Sequence, residues 1–193
     1  MAALCFLGIT ALAVLAVTTA VRIPSMATGS PAVAAPAPSP TVTPRVTQAM
    51  SRSRPVRLEI PRIGVRAGLV PLGRDVDGSP QTPPASRANR AGWYRYGAAP
   101  GSTGEAVITG YADLATGPGV FARLGELRPG DEVVVLRRDG REAVFTVERV
   151  ERVGEDRPSA RRVRAQVPYP GIRLVAHGGA GQVIAYGRLA RST

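Results

Sequence analysis

Two side chains able to do nucleophilic or proton-transfer chemistry occur once each in the 193 residues, Cys5 and His177. Cys5 lies inside an uncharged apolar run, so the remainder of the chain has no thiol nucleophile, no disulfide and no cysteine metal ligand. An imidazole titrates near about pH 6.5 and can serve as base, acid or nucleophile. One histidine offers no His/His pair for a zinc-type centre, so neither a metal nor another cofactor is expected. No serine sits in a nucleophile-elbow pattern, and Gly104 to Gly110 carries no phosphate-loop signature. His177 is the focus of any chemistry. Its bland alternative is an imidazole hydrogen-bonded to its neighbours in an inert cleft.

The elements that must position His177 are read from patterning. Short runs rich in β-branched and aromatic residues predict strands at Val56–Ile60, Val65–Val70, Glu105–Tyr111, Glu132–Arg138, Ala143–Val153, Ile172–His177 and Val183–Leu189. Turn signals separate them at Asp77-Gly78, Pro129-Gly130-Asp131, Asp139-Gly140 and Gly178-Gly179. Short helical turns are expected at Val120–Leu127 and Ser159–Arg164. Seven or eight short strands without a repeat argue for an all-β fold, a closed barrel over residues 56–193. Trp93, Tyr94 and Tyr96 read as core or barrel-rim packing.

Before the barrel the composition changes twice. Ala2 to Val21 is a run of twenty residues without a charge, long enough as a helix to cross about 30 Å of hydrocarbon. Residues 1–22 are therefore expected to form a single-pass membrane anchor, with a cleavable signal, cut near Ala32-Val33-Ala34, as the alternative. Arg22 follows the run and no basic residue precedes it, which runs against the charge rule for a domain held outside the cell. Residues 23–55, rich in Pro, Ala, Ser and Thr, are expected to be a disordered, extended spacer.

The net charge of +11 comes entirely from arginine, with no lysine. Arginines alternate with acids along the predicted strands (Arg137, Arg138, Asp139, Arg141, Glu142; Glu148, Arg149, Glu151, Arg152), which reads as a solvated mixed face. No aromatic stacking platform accompanies them, so no nucleic-acid partner is expected. Anionic lipid or wall polymers attract such a surface without any motif.

Four landmarks follow in order: Leu58-Glu59-Ile60-Pro61-Arg62-Ile63-Gly64-Val65; Gly92-Trp93-Tyr94; Ala106-Val107-Ile108-Thr109-Gly110 with the run Gly117 to Asp131; and Ile172-Arg173-Leu174-Val175 followed by Gly178-Gly179 and Val183–Arg188. Together they resemble the class F sortases of actinobacteria. The resemblance covers Val56 to Arg191 and implies a sortase-type eight-stranded β barrel. It also implies a family of cysteine transpeptidases that cleave sorting signals of the LPXTG kind on surface proteins and pass the acyl group to an amine. In that chemistry a thiolate attacks, a histidine is the acid and an arginine binds substrate and oxyanion.

This chain departs from the family at two of the three positions. Tyr111, in Gly110-Tyr111-Ala112-Asp113, stands at the histidine position, and His177 stands where the cysteine precedes Gly-Gly. Arg188, in Ala185-Tyr186-Gly187-Arg188, keeps the family identity, although the segment between His177 and Arg188 is shorter than usual. Tyr111, His177 and Arg188 are thus the expected catalytic-position residues, and Arg188 with Asp113 the expected substrate-binding ones. A phenol with a pKa near about 10 is a poor proton donor at neutral pH. An acyl-imidazole on His177 would hydrolyse rather than ligate. The resemblance therefore implies a membrane-anchored pseudo-sortase on the cell-wall side of the membrane, binding a peptide or sorting-signal-like segment. The alternative is an enzyme of altered chemistry, a slow hydrolase or transpeptidase using His177.

Overall fold

The structure is a computed structural model that describes residues 48–76, 81–87, 89–154, 167–179 and 181–193. The expected anchor, nearly all of the spacer, the Asp77-Gly78 turn and the helical turn at 159–164 lie outside the described residues. Among the described residues no helix is long and apolar enough to cross a membrane.

Among the described residues ten strands form: β1 Pro55–Ile60, β2 Val65–Leu72, β3 Ala91–Tyr94, β4 Gly104–Tyr111, β5 Asp113–Leu114, β6 Gly117–Pro118, β7 Glu132–Arg137, β8 Glu142–Val153, β9 Pro170–Gly178 and β10 Gly181–Ser192. Eight of them close a barrel in the order β1-β2-β3-β4-β9-β10-β8-β7, while β5 and β6 pair separately. The β2–β3 and β4–β9 pairings are parallel and the other pairings around the barrel antiparallel. All seven predicted strands are present. The eighth barrel strand, β3, has four residues, two of them Ala91 and Gly92, so it offers too little alternation to be read as a strand. The turn predicted around Val120–Leu127 is a single 3₁₀ turn at Leu124–Glu126.

Strand alternation sorts side chains to two sides of the wall. Leu58, Ile60, Ile108, Val133, Val135, Phe145, Ile172 and Leu174 fill the interior, and Phe121 and Leu124 plug one end. Each such side chain contributes about 1.5–3 kcal/mol by leaving water. The opposite parity of β4, β9 and β10 builds a second, outer cluster that includes Val107, Val175, Ile184 and Tyr186. On the same outer face Arg173 and Glu105 form a buried ion pair, with the Arg173 guanidinium 5.1 Å from the Tyr186 ring centre. Burial pushes the Glu105 carboxyl above its usual range, and Arg173 partly offsets this.

Two expectations are corrected here. Arg137 was grouped with a solvated face, yet it is 1% exposed. Its guanidinium donates to the carbonyls of Pro100 (2.8 Å) and Ser51 (2.6 Å), to Met50 Sδ (3.1 Å) and to Asp139 Oδ2 (2.8 Å). The same bonds draw residues ahead of Val56 onto the barrel. Met50 is buried, its N–H donates to Gly101 O, and Arg138 N–H donates to Arg54 O, so the packed chain starts before the boundary expected at residue 56.

Candidate functional site at the Tyr111–His177 end

β4 and β9 run parallel in a register that sets Tyr111 directly beside His177. Neighbouring strands lie about 4.8 Å apart and paired residues point to the same side, so both rings leave the outer face at one end of the barrel. The backbone fixes that end closely. Ala112 N–H donates to His177 O (2.7 Å) and Phe121 N–H to Tyr111 O (2.8 Å), which ties the loop after β4 to both strands. Phe121, fully buried in the plug, holds the second of these bonds in place. Gly119 allows the loop to fold back, since a Cβ there would lie 2.2 Å from Tyr111 O. Tyr111 Oη donates to Thr82 Oγ1 at 3.4 Å.

Asp113 joins the site through the backbone: its Oδ1 accepts from Gly179 N–H at 3.1 Å, bracing the β9–β10 turn. That turn is short. β9 ends at Gly178 and β10 begins at Gly181, whose φ of +106° favours glycine. The tight turn sets the register of β10, with Gln182 opposite His177 and Arg188 opposite Gly171.

The structure thus brings Tyr111, His177 and Asp113 together but not Arg188. Gly171 lies six residues before His177 on β9, which places Arg188 about 20 Å away along the sheet. Arg188 is half exposed there, paired with Glu148 (2.9 Å) and stacked 3.9 Å from the Tyr169 ring centre. The physical cause is the turn length: a hairpin closing at Gly178–Gly181 returns position 182, not 188, to the histidine.

Gln182 is the site residue that sequence reasoning missed. Its amide Nε2 lies 3.2 Å from His177 Nδ1, and its Oε1 is buried without a hydrogen-bond partner among the described residues. Thr109, two residues before Tyr111 on the same face of β4, has a buried Oγ1 in the same condition. The repeat of outward positions in Val183–Leu189 extends back to 182, and this is the only sequence signal that could have found Gln182.

Burial lowers the His177 pKa below the ordinary 6.5, so the ring is neutral at pH 7. In the tautomer that accepts the Gln182 amide N–H at Nδ1, the ring proton sits on Nε2. The imidazole then offers a donor, and its lone pair is already engaged. A group neutral in the fold and protonated in the unfolded chain loses stability as pH falls below the unfolded value. Urea unfolding midpoints should therefore drop between about pH 7 and 5 more steeply in the parent chain than in His177→Gln. Equal slopes would refute the buried, neutral ring.

Comparison with known proteins bears on the whole barrel. The sortase domain family matches residues 58–185. No curated protein matches the chain. Among solved structures, sortase A from Corynebacterium diphtheriae aligns with a TM-score of 0.52 and 17% identity, over 72% of this chain and 61% of that one. A single-site mutant of sortase E from Streptomyces avermitilis gives 0.54 and 18%, over 75% of this chain and 93% of that one. Sortase A of Listeria monocytogenes gives 0.55 and 14%, over 74% and 90%. The aligned part is thus less than two thirds of the Corynebacterium chain. At these identities the structures establish the fold: an all-β, eight-stranded barrel. With the family matching 58–185, two thirds of the sequence, this chain belongs to the sortase family.

Proposed function

We propose that this protein is a class F-type sortase relative, anchored to the cell membrane by residues 1–22, whose barrel binds an extended peptide of the sorting-signal kind without transpeptidation. The observation carrying this reading is the His177–Gln182 pair: the position that the family resemblance assigns to a thiolate holds a neutral imidazole whose Nδ1 faces an amide donor at 3.2 Å. With Cys5 the only cysteine, no thiol can attack from the barrel. The site nevertheless keeps capacity for a ligand. Among the described residues Thr109 Oγ1 and Gln182 Oε1 are buried without a hydrogen-bond partner, and a peptide that parts the side chains over them would satisfy both with its N–H groups.

Titrating the full chain with a fluorescent LPXTG-type peptide tests this. The expected result is saturable binding that weakens about 10-fold in His177→Ala, roughly one hydrogen bond with a buried partner, while Arg188→Ala leaves it unchanged. Absence of saturation, or equal loss in both variants, would remove the proposal.

A second reading, slow peptide hydrolysis by His177, is favoured by one detail. Turning the Gln182 amide over would let Oε1 accept from Nδ1–H and present the Nε2 lone pair to the face. Mass spectrometry of the same peptide after long incubation decides it, since cleavage must appear and must vanish in His177→Ala.

A further inference from the structure

The end of the barrel opposite His177 carries a second concentration of chemistry. β2 and β3 finish there and β4 begins there, and the segment leading in from residue 48 joins the barrel at the same place. Arg52 donates to Gly97 O (3.0 Å) and Arg95 O (2.8 Å), with its guanidinium 5.7 Å from the Trp93 ring centre. The guanidiniums of Arg74 and Arg95 lie 5.5 and 4.9 Å from the ring centre of Tyr96. Tyr96 was expected to pack in the core or rim, yet it is 57% exposed, and Val76 close by in sequence to Arg74 is fully exposed.

Among the described residues no carboxylate lies within ion-pairing distance of Arg52, Arg74 or Arg95, as is also true of several other arginines, Arg62, Arg90 and Arg128 among them; what this end adds is an exposed tyrosine ring against which two such arginines, Arg74 and Arg95, rest. Arg52 spends both terminal nitrogens on backbone carbonyls, whereas Arg74 and Arg95, each with one nitrogen bonded to a tyrosine hydroxyl, keep further N–H donors for phosphate oxygens. Tyrosine is a side chain suited to the boundary between water and lipid headgroups.

We propose that the Arg52, Arg74, Arg95 and Tyr96 surface docks on an anionic phospholipid bilayer. This orientation rests in part on the reading of residues 1–22 as a membrane anchor, since Met50 and Arg52, later in the chain than that segment, join the barrel at this end. It has a consequence for the other end. β4 spans the barrel wall from Gly104 to Tyr111, so docking would hold the Tyr111–His177 site about 25 Å further from the lipid, facing outward to passing surface proteins.

Trp93, the only tryptophan, lies beneath Arg52 and reports on this end. The full chain is reconstituted with vesicles of phosphatidylcholine alone or with phosphatidylglycerol, each containing a headgroup-nitroxide lipid. Quenching of Trp93 should be stronger in the anionic vesicles and should fade at about 1 M salt, where charges are screened within ~3 Å. It should weaken on the order of 25-fold in half-saturating phosphatidylglycerol for Arg74→Gln/Arg95→Gln, two charges near the surface. Tyr96→Ser, an exposed substitution, should weaken it with no change in thermal unfolding. Quenching equal in both lipids, or unmoved by these variants, overturns the proposal. Flotation with neutral vesicles reports the anchor separately. A chain that floats in both but shows no lipid-dependent quenching keeps its anchor and refutes docking. One quenched only by anionic vesicles without floating in neutral ones supports docking and loses the anchor. Protection of residues 94–97 from hydrogen exchange by soluble polyphosphate, with none from vesicles, would also overturn it and assign the surface to a wall polymer.

Discussion

Arg137→Ala lowers the unfolding free energy by about 3–5 kcal/mol, the range for breaking a buried, hydrogen-bonded charge pair from one side. The guanidinium is wholly enclosed, and its removal leaves the carbonyls of Ser51 and Pro100 and the Asp139 carboxylate without their donor. Met50 Sδ loses the N–H donor that it meets at 3.1 Å at the same time. For a domain near 150 residues, roughly 2–4 °C per kcal/mol, the melting temperature falls by about 6–20 °C. Arg137→Met separates packing from hydrogen bonding, because it restores volume without donors and should recover less than half of the loss. Asp139 gives a second signature. The hydrogen bond from Arg137 holds its carboxyl below the ordinary 3.8, so it contributes stability above that pH that is lost as pH falls through the lowered value. That acid sensitivity should be reduced in Arg137→Ala. A loss under about 1 kcal/mol by urea unfolding would show that the segment at Met50–Arg54 is held by something else.

Tyr111→His/His177→Cys/Gln182→Arg should cleave an LPXTG-type peptide at least about 100-fold faster than the parent chain, a fraction of the ~10⁶ that a lost nucleophile removes in a well-studied protease. The third substitution follows from the β9–β10 register. Arg188 faces Gly171, about 20 Å from position 177, whereas position 182 faces it directly. A donor aimed at developing negative charge is worth roughly 10²–10³ in rate, so the variant lacking Gln182→Arg should be slower by about that factor. Adding Arg188→Ala to the triple variant should change the rate less than about 2-fold, since Arg188 is committed to Glu148 and Tyr169. A triple variant as inert as the parent would mean that the face no longer accepts the peptide. Collapse of activity on Arg188→Ala would mean that the strand-end arginine reaches the site after all.

What could be read from the residues is what depends on type and local period. The apolar alternation of β1, β4, β7, β8, β9 and β10 marked them as strands, because a pleated strand half-facing a core must repeat every second residue. The missing thiol and the lone histidine were legible outright. Landmarks such as Leu58–Val65 and Ile172–Val175 carried the family, and with it the closed barrel. Local identity also placed Tyr111, Asp113 and His177 together, since they end or follow β4 and β9, which are neighbours in that barrel.

Distances along strands and burial of charges were decided only by the tertiary structure. Arg188 matches a family landmark and lies on the outer face with His177, yet a turn closing at Gly181 slides it six residues away and brings Gln182 to the histidine instead. Arg137 and Arg138 are neighbours of one type, and nothing local says that the first is sealed inside while the second is not. That outcome depends on carbonyls and a methionine from residues 50–51 and 100, far off in sequence, arriving around one guanidinium. Parity tells a side chain which face it takes. Only the closed register tells it what it meets there.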